Sequence, residues 1–512
     1  MFSMASRQDL DNWKELGNPG WGFDDLAPYY RKFETYNSSS ESLAAKINDK
    51  YVDPQLRGTN GPIKISFCDS DFQWQQDAWP KTCLAAGYPI PKDPRTGSGV
   101  GGFNQLTTVD PKTMQRSYST REYYEPNASR PNLTVLTEAL VAKIELEKQN
   151  SGDASATGVQ FIKNDSTYTV KANKEVIISG GVINSPQILE LSGIGAKAVL
   201  EKAGVQAIVE NPGVGENLND HTATVLGYAV KDEFPTAEVI FRNPEVAQQA
   251  MQAYMEHKAG PFANPTTPVA FVPLKTIDPN LSDPEKHIQS LLAEYEKTHP
   301  GSDPAGRNKI LGRQLLDPNE AVVQLVLVAV GADIEHLDSP SKIFMHDKPG
   351  NWASLAVCST RSLSRGSIHI KSSNPEEYPT IDPAYFENPM DLDMIARSLL
   401  HASTLANYEP LLSKLRTDEK GDLITDPPVP KTLDEAREVV RKQTVTEYHP
   451  IGTCAMVPRS KGGVVDSDCK VYGTTNVRVV DASIFPTHVQ GNIVSLVYAV
   501  AEKAADVIKG RL

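Results

Sequence analysis

The sequence predicts a mixed α/β fold, and three segments carry that prediction. Residues 174–179 form a short apolar run around Val176-Ile177-Ile178 that passes through Gly180-Gly181 into a helical pattern. A continuous run of this kind reads as a strand buried on both faces. Residues 478–481 form a second such strand. It feeds the segment 493–508, whose apolar positions Val494, Val497, Val500 and Ala504 follow a helical period. By contrast, residues 133–136, 139–146, 157–162 and 168–172 are apolar stretches between polar turns, and they read as an antiparallel meander.

The remaining elements follow in chain order. Residues 9–34 read as helix, tight turn and helix, with Pro19-Gly20 at the turn and Trp13, Leu26, Tyr29 and Tyr30 as apolar anchors. Gly97-Ser98-Gly99-Val100-Gly101-Gly102 formally fits the dinucleotide fingerprint G-x-G-x-x-G. That fingerprint has meaning only between a strand and a helix. Here Pro89, Pro91 and Pro94 precede it and no helical pattern follows, so the segment reads as a loop. The helix after Gly181 is expected to be capped by Asn184 or Ser185, to hold Pro186 in its first turn and to exit at Gly193. Pro212 to His221 reads as a rigid glycine- and Asx-rich loop, with His221 a satisfied buried side chain rather than a base. Residues 223–360 read as irregular and proline-rich. Within them, 321–332 is an apolar run too short to span a bilayer and is taken as a buried strand.

Bulk properties exclude several classes of partner. A chain of 512 residues can bury a large core and form two or more domains. Its net charge of -13 gives no electrostatic reason to expect nucleic acid or an anionic membrane as a partner. The five cysteines lack metal-ligand spacing, so no metal site is assigned. Cys68 and Cys83 read either as a bridge or as two buried thiols. Asn37, Asn127, Asn132, Asn164 and Asn280 open N-x-S/T sequons, a weak pointer to the secretory pathway in a sequence that otherwise leaves localisation open.

The stretch Thr446-Glu447-Tyr448-His449-Pro450-Ile451-Gly452-Thr453-Cys454, with Asp481-Ala482-Ser483 and Gly491-Asn492, resembles the catalytic region of the glucose–methanol–choline (GMC) family of FAD-dependent oxidoreductases. Ser179-Gly180-Gly181-Val182-Ile183-Asn184-Ser185-Pro186-Gln187-Ile188-Leu189, followed by Ser192-Gly193-Ile194-Gly195, is similar to that family's second signature. The resemblance implies a Rossmann-like FAD-binding domain without its first βαβ unit, joined to a β-sheet-based substrate-binding domain. It implies FAD-binding residues in 1–222, a substrate-binding region carrying His449 in 223–475, and a return to the FAD-binding domain in 476–512. Because Met1 resembles a point inside the family's fold, further residues are expected ahead of it.

The resemblance also assigns roles. His449 is the base that takes the hydroxyl proton of a small-molecule alcohol while hydride leaves its carbinol carbon, a task suited to a group titrating near neutrality. Asn492 has no basic nitrogen, so it is expected to hydrogen-bond the substrate oxygen and to cap the last helix at its positive end. Val141, Ser179, Gly180, Asp481, Ala482, Asn492 and Ile493 are the implied FAD contacts. Free backbone N–H groups are expected at the Gly180 joint. Oxygen or a quinone is the implied final electron acceptor. Two alternatives stay open: a family member using the pocket for cyclisation or lyase chemistry, and a non-catalytic remnant that does not bind FAD.

Overall fold

Ser6 starts the first helix, α1 (Arg7–Glu15), through a reciprocal cap. Its hydroxyl accepts the Asp9 N–H, and the Asp9 carboxylate accepts the Ser6 N–H. The second helix, α2 (Phe23–Phe33), has Asp24 and Asp25 in its first turn and Arg31 and Lys32 in its last, complementing its dipole. Trp13, Leu26 and Tyr30 are buried between them, as the helix–turn–helix pattern predicts. The structure is a computed structural model and describes residues 1–511 apart from 48, 69–73, 151, 266, 334, 335, 337–341 and 345.

The glycine run at 97–102 ends in a strand, β1 (Gly101–Asn104), rather than in the expected loop. Its glycines serve packing: a Cβ on Gly102 would lie 2.3 Å from the Cys83 side chain. Cys68, Cys83 and the other three cysteines are all free and buried, which settles the bridge-or-thiol alternative in favour of thiols.

The meander forms as three antiparallel strands, β2 (Leu140–Lys148), β3 (Ala154–Lys163) and β4 (Ser166–Lys171). Residues 133–136 do not join it. They form no strand, and Leu133, Val135 and Leu136 are exposed. The apolar run at 174–179 becomes β5 (Val176–Ile178), followed by α3 (Gly181–Leu191). Contrary to the two-faced burial expected of β5, Ile178 is buried while Ile177 is 44% exposed. The helix also starts earlier than expected, at Gly181, which leaves Pro186 in its interior.

Residues 223–360, irregular by local pattern, build the largest sheet, in keeping with the sheet-based substrate domain that the resemblance implies and with the buried strand read within 321–332. Its strands are β6 (Thr222–Val230), β7 (Pro268–Val272), β8 (Val323–Val328) and β9 (Asn351–Ser359). Some of the prolines that suggested irregularity open elements: Pro244, Pro261 and Pro284 each occupy a first helical position, and Pro268 begins β7. Beyond β9 come α4 (Pro389–Leu405), β10 (Thr425–Asp426), α5 (Leu433–Gln443) and β11 (Val445–Thr446). The antiparallel sheet runs β10–β6–β9–β8–β7–β1, with β11 also paired to β6.

Both faces of this sheet are covered, which explains its continuously apolar strands. Leu226, Tyr228, Ala270, Leu325 and Leu355 point to a core shared with α4 and α5. Alternate residues Ala223, Val269, Phe271, Val326 and Cys358 form a second cluster on the opposite face with Phe103. The chain then returns to β5 through β12 (Val477–Val479), which pairs with it in parallel register. It ends in α6 (Val494–Ile508), whose Tyr498 packs on Phe33 of α2 with ring centroids 5.3 Å apart. Among the described residues, no helix is long and apolar enough to cross a membrane.

Candidate active site

Three segments distant in sequence meet at the edge of the large sheet. Strand β11 pairs with the start of β6 at Thr222↔Thr446, and Asn219 bridges to Ile451, so Asp220-His221 runs beside Glu447-Tyr448-His449. The Asp220 carboxylate pins this turn. One oxygen accepts the His449 backbone N–H at 3.1 Å; the other accepts the Thr446 hydroxyl at 2.5 Å and the Tyr385 hydroxyl at 2.6 Å. Burial pushes the Asp220 carboxyl above its usual value, against the downward pull of these bonds.

The third segment, 488–492, precedes α6. A buried ion triad holds it to the N-terminal helix. Arg361 donates to Asp9 at 2.7 Å and to Glu320 at 2.5 Å, and the second Asp9 oxygen accepts the Gln490 N–H at 2.9 Å. Burial raises the Glu320 carboxyl to about 7 despite Arg361.

Hydrogen bonding fixes the proton inventory of His449 from both sides. Nε2 of His221 faces two acceptors, the carbonyls of Thr360 at 2.9 Å and Val489 at 3.0 Å, so Nε2 carries a proton. Burial, with His488 and His449 nearby, holds His221 well below the usual histidine range, so the ring is neutral and its Nδ1 is bare. That Nδ1 lies 3.2 Å from His449 Nδ1, which is therefore the donor. At the other end, the Asn492 amide nitrogen donates to His449 Nε2 at 3.1 Å, while its oxygen accepts the Ser3 hydroxyl at 3.1 Å. Both constraints place the hydrogen of neutral His449 on Nδ1 and leave Nε2 as a lone-pair acceptor.

Two further groups complete the surroundings. His488 stacks on His221 with centroids 3.5 Å apart and donates through Nε2 to the His449 carbonyl at 2.8 Å; burial lowers it to about 3. Glu447 Oε2 lies 3.6 Å from His449 Nδ1 and 3.7 Å from His221 Nδ1. Burial favours its neutral form, but the adjacent His449 and His221 outweigh this and hold the carboxyl below its usual value.

The structure thus brings His449 and Asn492 into direct contact. Ile493 follows Asn492 at the start of α6, and Gly180 and Asp481 belong to a separate group. Asp481 accepts the Gly181 N–H at 2.9 Å and the Ser185 hydroxyl at 2.6 Å, and Ser185 accepts the Gly180 N–H at 3.0 Å. The N–H groups expected to be free at this joint are therefore engaged by side chains of the chain itself. Ser179 is exposed beside them, the Ala482 carbonyl accepts the Gly452 N–H, and Val141 lies half-buried on β2. Asn492 does not cap α6; that position belongs to Ile493, because the Asn492 side chain is spent on His449 and Ser3. The sequence reading treated Asp220 and His221 as structural and gave Glu447 no role. A charged residue two positions before the candidate base was the available signal. A cavity of about 440 Å³ around Arg307, Arg365 and Glu216 shares no lining residue with the His449 cluster.

The class of protein to which this α/β architecture and histidine cluster belong follows from comparison with known proteins. Residues 1–223 and 362–501 match the family described as GMC oxidoreductase. The chain is 31% identical to the dehydrogenase citC of Monascus ruber, covering 99% of this chain and 81% of that protein. It is 30% identical to a glucose oxidase of Aspergillus carbonarius, over 99% and 77% of the two lengths. Among solved structures, an FAD-dependent oxidoreductase from Chaetomium thermophilum superposes with a TM-score of 0.87 at 28% identity, covering 100% of this chain and 84% of that one. The chain belongs to the GMC oxidoreductase family, whose members are FAD-dependent flavoproteins.

The described residues fit the flavin end of such a cofactor. Helix α6 begins without a side-chain cap beside Asn492, offering the positive end of its dipole to a negatively charged ring system. Next to β5 and Ser179, a Cβ on Gly181 would meet nothing within 4 Å, so that surface is open to a ligand. Among the described residues, the only G-x-G-x-x-G run is the β1 segment, which packs in a sheet and offers no phosphate-binding turn.

Proposed function

We propose that the protein oxidises the CH–OH group of a small-molecule alcohol, with His449 Nε2 as the base. The observation that carries this reading is the two-sided fixing of the His449 tautomer, which presents a bare nitrogen beside the uncapped end of α6. We assign Val141, Ser179, Gly180, Asp481, Ala482, Asn492 and Ile493 to holding FAD, which supplies the hydride acceptor when bound. Oxygen or a quinone then takes the electrons onward. The relative named as a glucose oxidase favours an alcohol as substrate class.

The chain's own residues have separable tasks in this reading. The substrate hydroxyl takes the place of Asn492 as partner of His449 Nε2, and the freed amide N–H turns to the substrate oxygen. Proton transfer to Nε2 leaves an imidazolium whose Nδ1–H still donates to His221. The Glu447 carboxylate, 3.6 Å from that nitrogen, offsets the new charge where water is scarce. The test is anaerobic addition of a panel of primary and secondary alcohols to the FAD-loaded protein while flavin absorbance is followed. Bleaching by at least one alcohol is the expected result. A flavin that binds but is reduced by none of them refutes alcohol oxidation.

A further inference from the structure

We propose that His221, Glu447 and His449 form a binding site for one divalent transition-metal ion, best matched by Zn²⁺, and that filling it disables the base. Among the described residues this is the one group of three potential ligands whose donor atoms converge. The donors are separated by 3.2 Å (Nδ1 to Nδ1), 3.6 Å (His449 Nδ1 to Glu447 Oε2) and 3.7 Å (His221 Nδ1 to Glu447 Oε2). A point equidistant from the corners of that triangle lies about 2.0 Å from each donor. Zinc requires ~2.0–2.1 Å to imidazole nitrogen and ~2.0–2.2 Å to carboxylate oxygen. Calcium and magnesium favour sets made wholly of oxygen, so two imidazoles select against them.

The donors are also prepared chemically. His221 already donates its other ring N–H to two backbone carbonyls, the arrangement that orients a metal-ligating histidine and leaves its free nitrogen bare. Glu447 Oε2 is buried and makes no short hydrogen bond, and it lies within 3.7 Å of the Nδ1 atoms of both histidines. Only His449 must change. A neutral imidazole carries one N–H, so metal bonding at Nδ1 moves that hydrogen to Nε2 without net proton release. Nε2 then has no lone pair for a substrate proton, and the Asn492 amide must rotate to present its oxygen. The loss of activity rests on the reading of His449 as base; the metal site itself does not.

The test begins with ZnCl₂ titrated calorimetrically into the full chain and into Glu447→Gln. Wild type should bind one more equivalent than the variant, or bind it at least roughly 10–100-fold more tightly, the range lost when even an outer-shell partner is removed. Crystals soaked in ZnCl₂ should show an anomalous peak at the centre of the three donors, a readout that does not depend on a variant folding. Equal binding in both proteins, or zinc found only elsewhere in the crystal, overturns the site. With FAD-loaded protein, zinc should suppress turnover reversibly, with EDTA restoring it. Zinc seated at the three donors with turnover unchanged keeps the site but overturns both its inhibitory effect and the assignment of His449 as base.

Discussion

His221 Nδ1 and His449 Nδ1 face each other at 3.2 Å with their ring planes 87° apart, so one histidine edge sets the protonation of the other. The carbonyls of Thr360 and Val489 fix the first ring, and the second inherits its tautomer. In the proposed reaction, a buried histidine therefore serves without touching the reacting atoms.

Replacing His449 by Ala in the FAD-loaded protein should lower turnover by roughly 10²–10⁴-fold, the usual share of a general base. Flavin content should stay near the wild-type level, because among the residues assigned to FAD the His449 side chain bonds only Asn492. Stopped-flow reduction with a bleaching alcohol checks the rate. Turnover within a few-fold of wild type would remove His449 from the reaction.

Arg361→Met should destabilise the protein by about 3–5 kcal/mol, the cost of leaving a buried partner uncompensated. Asp9 and Glu320 would both remain buried near one another without a cation. Urea unfolding measures the loss. The 488–492 loop hangs on Asp9 through Gln490, so turnover should fall together with stability.

His369 predicts a pH window. Its ring bonds Glu190 at 2.7 Å and Glu216 at 3.1 Å, and these bonds raise it from 6.5 to about 9 against the cost of burial. A raised folded-state value means its contribution is complete below about pH 6.5 and is lost as pH climbs through about 9. At ~1.4 kcal/mol per pK unit the shift corresponds to roughly 3.5 kcal/mol, and solvent screening at the half-exposed Glu216 brings the loss to ~2–3 kcal/mol. The urea midpoint of wild type should drop across this window more steeply than that of His369→Gln. Parallel pH profiles for the two proteins would exclude the assignment.

Asp481→Ala should cost about 1–2 kcal/mol, in the range of a lost helix cap, since the carboxylate holds the Gly181 N–H and the Ser185 hydroxyl at the start of α3. If the open surface there holds FAD, cofactor affinity should also fall. Flavin fluorescence titration separates this from the stability effect.

Local signals carried the sequence reading wherever neighbours in the chain are neighbours in space. The α1–α2 hairpin, the β2–β4 meander and the β5-to-α3 joint were legible from apolar period and turn residues. Of the large sheet, only β8 was legible, inside the apolar run 321–332. Its strands are covered on both faces and therefore lack alternation, and prolines such as Pro244 and Pro284, which read as breakers, open helices. His449 and Asn492 were legible from the motifs around them. The roles of His221 and Glu447 were not, because they arise from the pairing of β11 with β6, a register that no local pattern announces.

That pairing has a kinetic consequence. His221 and His449 are 228 residues apart and Ser3 and Asn492 are 489 apart, so the working group exists only after the longest loops of the chain have closed. Contacts of such separation form late, since chain entropy must be overcome before they contribute. On refolding from urea, circular dichroism should therefore recover before catalytic competence does, and the site will be the last part of the molecule to assemble.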